Sequence, residues 1–201
     1  MTVAAAVLTA GGGRRFGDEG DPKPLVRLDG RPLVSWALDA ACASGLRPVV
    51  LVVGHEGRRV ARLAPEAVIV TQSSGWRRGI AHSLGAALDL LDGWVQVDAV
   101  CVGLGDQPRI GAEAYRRLAA AHDAGAELAV ATYGGGRSNP VLIARSLWDE
   151  AGALRGDEGA RVLMRTHSVT EVPCDGTGDP VDVDTPEDLE ALRTAGQEGS
   201  S

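Results

Sequence analysis

Apolar residues along this chain gather in short unbroken runs separated by mixed segments. Val3–Thr9, Pro48–Val53, Ala67–Val70 and Ala99–Leu104 are continuous and rich in Val. Strands read this way when helices cover both faces of a parallel sheet, since neither face then needs polar residues. Leu128–Thr132 and Val141–Ala144 are two further strand candidates. Between the runs lie predicted helices over Pro32–Ser44, Gly57–Leu63, Ile80–Leu91 and Ala112–Asp123, with Leu84, Leu88 and Leu91 marking one apolar face. Pro32 suits a first helical turn, and Gly45 and Gly125 suit helix ends. The alternation predicts one α/β domain wound on a largely parallel sheet, spanning 1–195, with 196–201 as a flexible tail.

The stretch Leu128–Val172 breaks the simple alternation. Two short strands flank Tyr133-Gly134-Gly135-Gly136-Arg137-Ser138-Asn139, and helical stretches follow near Leu147–Leu154 and Ala160–Thr166. It reads as an insertion that covers the sheet edge and receives a second substrate. Further on, Thr185, Pro186 and Asp188 have the order of an N-cap, a first helical residue and a capping-box acid.

Composition narrows the class. With 201 residues and 44% hydrophobic content, the chain can bury a real core and is not disordered. A net charge of −7 argues against nucleic acid as partner, so the local arginine clusters point to small anions instead. Cys42, Cys101 and Cys174 are widely spaced, as reduced thiols of a cytoplasmic protein would be, rather than a disulfide frame or zinc site. No secretory leader or membrane-spanning run is expected, because the apolar start lacks a basic flank and no run is long enough to cross a bilayer.

Candidate chemistry begins where the first run ends, at Gly11-Gly12-Gly13-Arg14-Arg15 with Lys23 soon after. Glycine lets backbone N–H groups approach phosphate oxygens, and clustered cations need an anion to offset their repulsion. A tight turn is the plain alternative. The loop is not a P-loop, since Asp18 follows Gly17, and Phe16 stands where a dinucleotide fingerprint needs its third glycine. Asp106, in Leu104-Gly105-Asp106-Gln107-Pro108, falls at the carboxyl end of a predicted strand, where open α/β folds gather ligands. Asp182 and Asp184 flank Val183, so both side chains project one way, as if about a short strand. One of them is expected to bind metal and the other to organise the turn before the last helix. Asp106 and Asp182 would supply the protein oxygens that Mg²⁺ accepts while it keeps waters and phosphates. Ser83, in a Gly- and Arg-rich lead into a helix, could touch a base or ribose. His82 reads more simply as a solvent-facing helix residue, and His55, His122 and His167 show no ligand spacing.

Taken in order, these segments resemble the nucleotidyltransferase family of molybdenum-cofactor biosynthesis, nearest its MocA-like cytidylyltransferase branch and related to the MobA guanylyltransferases. The resemblance rests on Leu8–Gly17 with Lys23-Pro24-Leu25, on Gly79–Leu84, Gly105–Pro108, Gly156–Arg161 and Asp182–Leu189. It implies a Rossmann-like, three-layer, glycosyltransferase-A-like nucleotidyltransferase fold. It implies a nucleotide site at Leu8, Ala10, Gly11, Gly12, Gly13, Arg14, Lys23, Ser83 and Asp106, with Arg14, Lys23 and Asp106 catalytic and Asp106 and Asp182 on Mg²⁺. The implied reaction moves a nucleoside monophosphate from a triphosphate, CTP by the look of Gly105–Pro108, to a phosphorylated acceptor of molybdopterin type. An ionised acceptor phosphate needs no general base, so such a site must chiefly align the reactants and neutralise charge. GTP, a sugar phosphate or phospholactate would be variants of the same chemistry, and a non-catalytic nucleotide-binding regulator is the distant rival. The expected form is a monomer or weak homodimer. Two departures stand out. Asp18-Glu19-Gly20-Asp21-Pro22 lengthens the loop before Lys23 with acids, and Ser138-Asn139-Pro140-Val141 stands where members often carry Gly-His-Pro-Val.

Overall fold

The computed structural model describes residues 1–9, 21–157 and 159–198. Its centre is a seven-stranded sheet of β1 (Val3–Leu8), β4 (Val49–Val53), β5 (Val68–Gln72), β6 (Ala99–Leu104), β7 (Leu128–Tyr133), β8 (Gly136–Ala144) and β9 (Thr170–Pro173), in the order β5-β4-β1-β6-β8-β7-β9. All strands share one direction except β8, which runs antiparallel to both neighbours. A two-stranded hairpin, β2 (Arg27–Leu28) with β3 (Arg31–Pro32), stands apart. The helices are α1 (Leu33–Ala43), α2 (Gly57–Ala61), α3 (Ile80–Asp92), α4 (Ala112–Asp123), α5 (Trp148–Ala153), α6 (Leu163–Thr166) and α7 (Pro186–Glu198).

Every residue of β1 is buried, and its period of two divides them between two cores. Val3, Ala5 and Val7 pack with α1 and α4; Ala4, Ala6 and Leu8 pack with α3, α5 and α6. Three layers result, with alanines in the central strand letting helices approach closely from either side. Each fully buried Leu or Val of these cores contributes on the order of 1.5–3 kcal/mol relative to exposure.

A third, smaller cluster positions the site. Leu189 and Leu192 of α7 pack with Val183 against Leu28 of the hairpin and Leu33 of α1. Arg109 donates to the Leu192 carbonyl at 2.6 Å and Arg193 to the Arg27 carbonyl at 2.9 Å. The two ends of the chain are thereby clamped together.

Most predicted elements occupy their predicted places; the stretch 128–172 does not. It is no insertion over an edge but the continuation of the sheet, because β8 pairs directly with β6 and β7 closes on β8. The nine-residue β8 begins well before the apolar run at Val141, since its first half is polar and half-exposed. The short strand β9 and the hairpin carry too little apolar pattern to be seen in sequence. The last helix reaches Glu198, past the predicted start of a tail at 196. Residues 199–201 lie outside the described ones.

Candidate active site

The parallel strands present their carboxyl ends on one edge, and the site is built there. Gly105 follows β6 and donates its N–H to the Leu8 carbonyl at 2.9 Å. The contact requires glycine: a Cβ at 105 would lie 2.4 Å from Thr9 Cγ2. Asp106 is thus delivered beside the end of β1, where the glycine-rich loop begins.

Lys23 approaches from the 3₁₀ turn Lys23–Leu25. Its Nζ lies 2.5 Å from Asp106 Oδ2 and 2.6 Å from Asp184 Oδ1, and its side chain is only 12% exposed. Asp184 comes from the far end of the chain. Val183 is wholly buried in the third cluster and donates its N–H to the Asp106 carbonyl at 2.9 Å. With Val183 turned inward, Asp182 and Asp184 are set on the other side. The segment around them is not a strand. The turn into α7 is organised by Asp188 rather than by Asp182 or Asp184. Asp188 Oδ2 accepts from the N–H groups of Asp184 and Thr185 at 2.9 and 2.8 Å, and its own N–H donates to Thr185 Oγ1 at 3.2 Å. The predicted capping box is present, and it leaves the Asp184 carboxylate for Lys23.

The electrostatics follow from this crowding. Burial works against the Lys23 charge, but the attraction and hydrogen bonds of Asp106 and Asp184 outweigh it and hold the ammonium above its usual range. Crowding by protein, then the negative charge of Asp106, pushes Asp182 above the usual carboxylate range; Lys23 and a Gln107 hydrogen bond pull the other way. Asp106 Oδ1 is buried and has no hydrogen-bond partner among the described residues. An orphaned carboxylate oxygen beside an acid raised by burial and then by like charge is what a bound cation would relieve. Asp106 and Asp182 therefore fit a divalent ion. Among the described residues no group of three or more His, Cys, Asp and Glu is gathered for a metal, so waters and phosphate oxygens would complete the shell.

Beside the acids, a cavity of about 500 Å³ opens between the sheet edge, the start of α3 and the segment 157–165. Leu8, Leu84 and Val102 contribute apolar wall; Arg137, Asn139 and Arg161 contribute polar rim. Two of the motifs read from the sequence meet here. Gly79 has φ +110° and a Cβ there would fall 2.2 Å from the Gly156 carbonyl oxygen, which accepts the Ala81 N–H at 3.1 Å. The segments Gly79–Leu84 and Gly156–Arg161 are one packed unit.

The structure thus brings together Leu8, Lys23, Asp106 and Asp182. Ala10, Gly11, Gly12, Gly13 and Arg14 lie outside the described residues. Ser83 is 3% exposed in the first turn of α3 and does not line this cavity, because its helix turns Ile80 and Leu84 there instead. Sequence reasoning missed Asp184 as the partner of Lys23. It also missed Gln107, a buried hub, although it stands in a motif already singled out; a polar residue between an acid and a proline on a sheet edge was the available signal.

A mostly parallel sheet between helical layers carries a lysine and acids on its carboxyl edge, and comparison with known proteins makes the chain a nucleotidyltransferase. The chain belongs to the MobA-like NTP transferase domain family, whose sequence profile matches residues 5–172. It is 37% identical over 135 residues to the bifunctional protein GlmU of Trichlorobacter lovleyi, covering 66% of this chain and 29% of that one. The chain spans about a third of the length of the GlmU proteins it matches. It is 30% identical over 204 residues to nicotine blue oxidoreductase of Paenarthrobacter nicotinovorans, covering 94% of this chain and 96% of that one. Among solved structures, Rv0371c of Mycobacterium tuberculosis superposes with a TM-score of 0.83 at 28% identity, over 96% of this chain and 98% of that one. A second structure of Rv0371c, with a TM-score of 0.79 at 26% identity over 97% and 100% of the two chains, is a complex with manganese. Molybdopterin-guanine dinucleotide biosynthesis protein A of Archaeoglobus fulgidus shares the fold, with a TM-score of 0.71 at 20% identity over 97% and 99% of the two chains.

Proposed function

We infer that this protein transfers CMP from CTP to a phosphorylated acceptor of molybdopterin type and releases pyrophosphate. The observation that carries the reading is Lys23 held between Asp106 and Asp184 at the sheet edge, beside an arginine-rimmed cavity. The acceptor phosphate oxygen bonds to the α-phosphorus while the bond to the pyrophosphate oxygen breaks, and the leaving group takes the electron pair. Lys23 turns from its carboxylates to the triphosphate and neutralises charge on the leaving pyrophosphate. Arg14 adds a forked donor to the same oxygens. Gly11–Gly13 offer backbone N–H groups to the phosphates, and Leu8 and Ala10 border the nucleotide. Asp106 and Asp182 hold the divalent ion, Mg²⁺ by this reading. When bound, it draws charge from the α-phosphate. The manganese complex of Rv0371c supports a divalent-metal site in this fold. CTP is favoured over GTP by the Gly105–Pro108 resemblance to the cytidylyltransferase branch.

The test is pyrophosphate release from CTP, GTP, ATP and UTP with Mg²⁺, each against molybdenum cofactor, sugar phosphates and phospholactate. CTP with the pterin should turn over fastest, and no release from any pair would refute transfer. One second reading has a specific observation behind it, the end-to-end match to a protein named an oxidoreductase. NADH and NADPH oxidation by the purified chain, with pyrophosphate release absent, would favour it.

A further inference from the structure

One buried amide sets the hydrogen-bonding polarity of the cavity. Gln107 is 3% exposed, and its Nε2 lies 3.0 Å from the Pro180 carbonyl oxygen and 3.4 Å from Ser138 Oγ. A carbonyl can only accept, so the nitrogen of Gln107 must face Pro180 and its Oε1 must face the other way. Asn139 lies there with its Nδ2 3.0 Å from that Oε1. The Asn139 amide is fixed in turn, nitrogen toward Gln107. Its Oδ1 is left with no hydrogen-bond partner among the described residues, on a side chain that lines the cavity. Two further features constrain what enters. Arg161 lines the cavity and makes no ion pair among the described residues, whereas Arg137 is shared with Glu171 at 2.7 Å. Leu84, Val102, Val141 and Met164 make the wall between them apolar.

We propose that Asn139 is a specificity-determining residue of the second-substrate pocket, its Oδ1 accepting a hydrogen bond from an N–H or O–H on the acceptor. That acceptor has a flat or apolar body and an anionic group that pairs with Arg161. Gln107 is the positioning residue that fixes which atom Asn139 presents. A ligand with an ether or carbonyl oxygen at that point would set two acceptors face to face and be rejected. The proposal rests on the reading of the cavity as the acceptor pocket.

Aryl phosphates are the probes: phenyl phosphate, its 3- and 4-methylamino derivatives and their methoxy isosteres. Calorimetry on the full chain gives their affinities, with CTP–Mg²⁺ titrated separately. In the wild type at least one methylamino derivative should bind about tenfold more tightly than its methoxy isostere. Asn139→Leu should abolish that ratio and leave phenyl phosphate affinity within a few-fold. Asn139→His can donate one ring N–H to Gln107 and offer the other nitrogen as acceptor, so it should keep the preference; it also serves if the leucine variant does not fold. Arg161→Ala should weaken every aryl phosphate about tenfold and leave CTP affinity unchanged. No preference in the wild type, or the same ratio in Asn139→Leu, overturns the proposal. CTP binding by a protein that shows no such preference sinks this inference alone. Loss of CTP binding altogether would sink the reading on which it rests.

Discussion

The acid–lysine cluster and the neighbouring cavity share one sheet edge but are built on opposite plans. In the cluster, charges outnumber their partners: Asp106 and Asp184 share one ammonium, Asp182 feels their negative charge, and a buried Asp106 oxygen is left unsatisfied. In the cavity, Asn139 is oriented by an amide hydrogen bond and Arg137 is shared with Glu171, against an apolar wall. The first arrangement is tense until a cation and phosphates arrive, which suits the step common to all nucleotidyl transfer. The second has the direction of its Asn139 amide fixed before any ligand comes, which suits choosing among acceptors. Variants in the cluster should therefore strike turnover whatever the acceptor, and variants in the cavity should strike one acceptor more than another.

Asp106→Ala tests the contrast most severely. Turnover should fall about a thousandfold, the scale of several kcal/mol of lost charge stabilisation, with the circular dichroism spectrum unchanged. Pyrophosphate release within a few-fold of wild type would remove Asp106 from the chemistry. Lys23→Met should cost about a hundredfold in kcat/KM for the triphosphate, equally with every acceptor. An acceptor-dependent loss would blur the division between the two regions. Thr185→Ala removes the cap that sets Asp182 and Asp184, and should lower stability by about 1 kcal/mol in denaturant titration. Retention of full stability would mean the box does not hold the turn.

The smallest effect has the opposite sign. An acid whose folded pKa is raised binds its proton more tightly folded than unfolded, so its ionised form destabilises the fold. That cost is present at neutral pH and disappears as pH falls below the unfolded value. Asp182→Asn should raise Tm slightly in metal-free buffer at neutral pH, converge with wild type in acid, and lose activity. An unchanged or lowered Tm at neutral pH would show that neither burial nor like charge weighs on the Asp182 carboxylate.

Apart from the β2–β3 hairpin, the strands and helices of the first 125 residues were legible because buried strands leave continuous Val- and Ala-rich runs, as in β1 and β4. The region after Leu128 was not, because β8 is half polar and pairs antiparallel, a relation that hydrophobic pattern does not encode. In the site, Lys23 and Asp182 could be named from residue type and neighbouring motif, and Asp106 from its place after a strand. Asp184 could not be assigned to Lys23, because only the third cluster, joining Val183 and Leu189 to Leu28 and Leu33, brings the chain ends together. Gln107 and Asn139 were hidden for a similar reason: their roles come from the direction of one carbonyl, at Pro180, that no local pattern announces.

The claim beneath the whole account is that Asp106 and Asp182 close on a divalent ion that a triphosphate brings with it. Mn²⁺ binding followed by electron paramagnetic resonance, with and without CTP, measures this directly. Wild-type protein should bind Mn²⁺ far more tightly with CTP present, and Asp106→Ala and Asp182→Asn should each weaken that binding at least about tenfold. Equal binding by all three proteins, or binding indifferent to CTP, would contradict it.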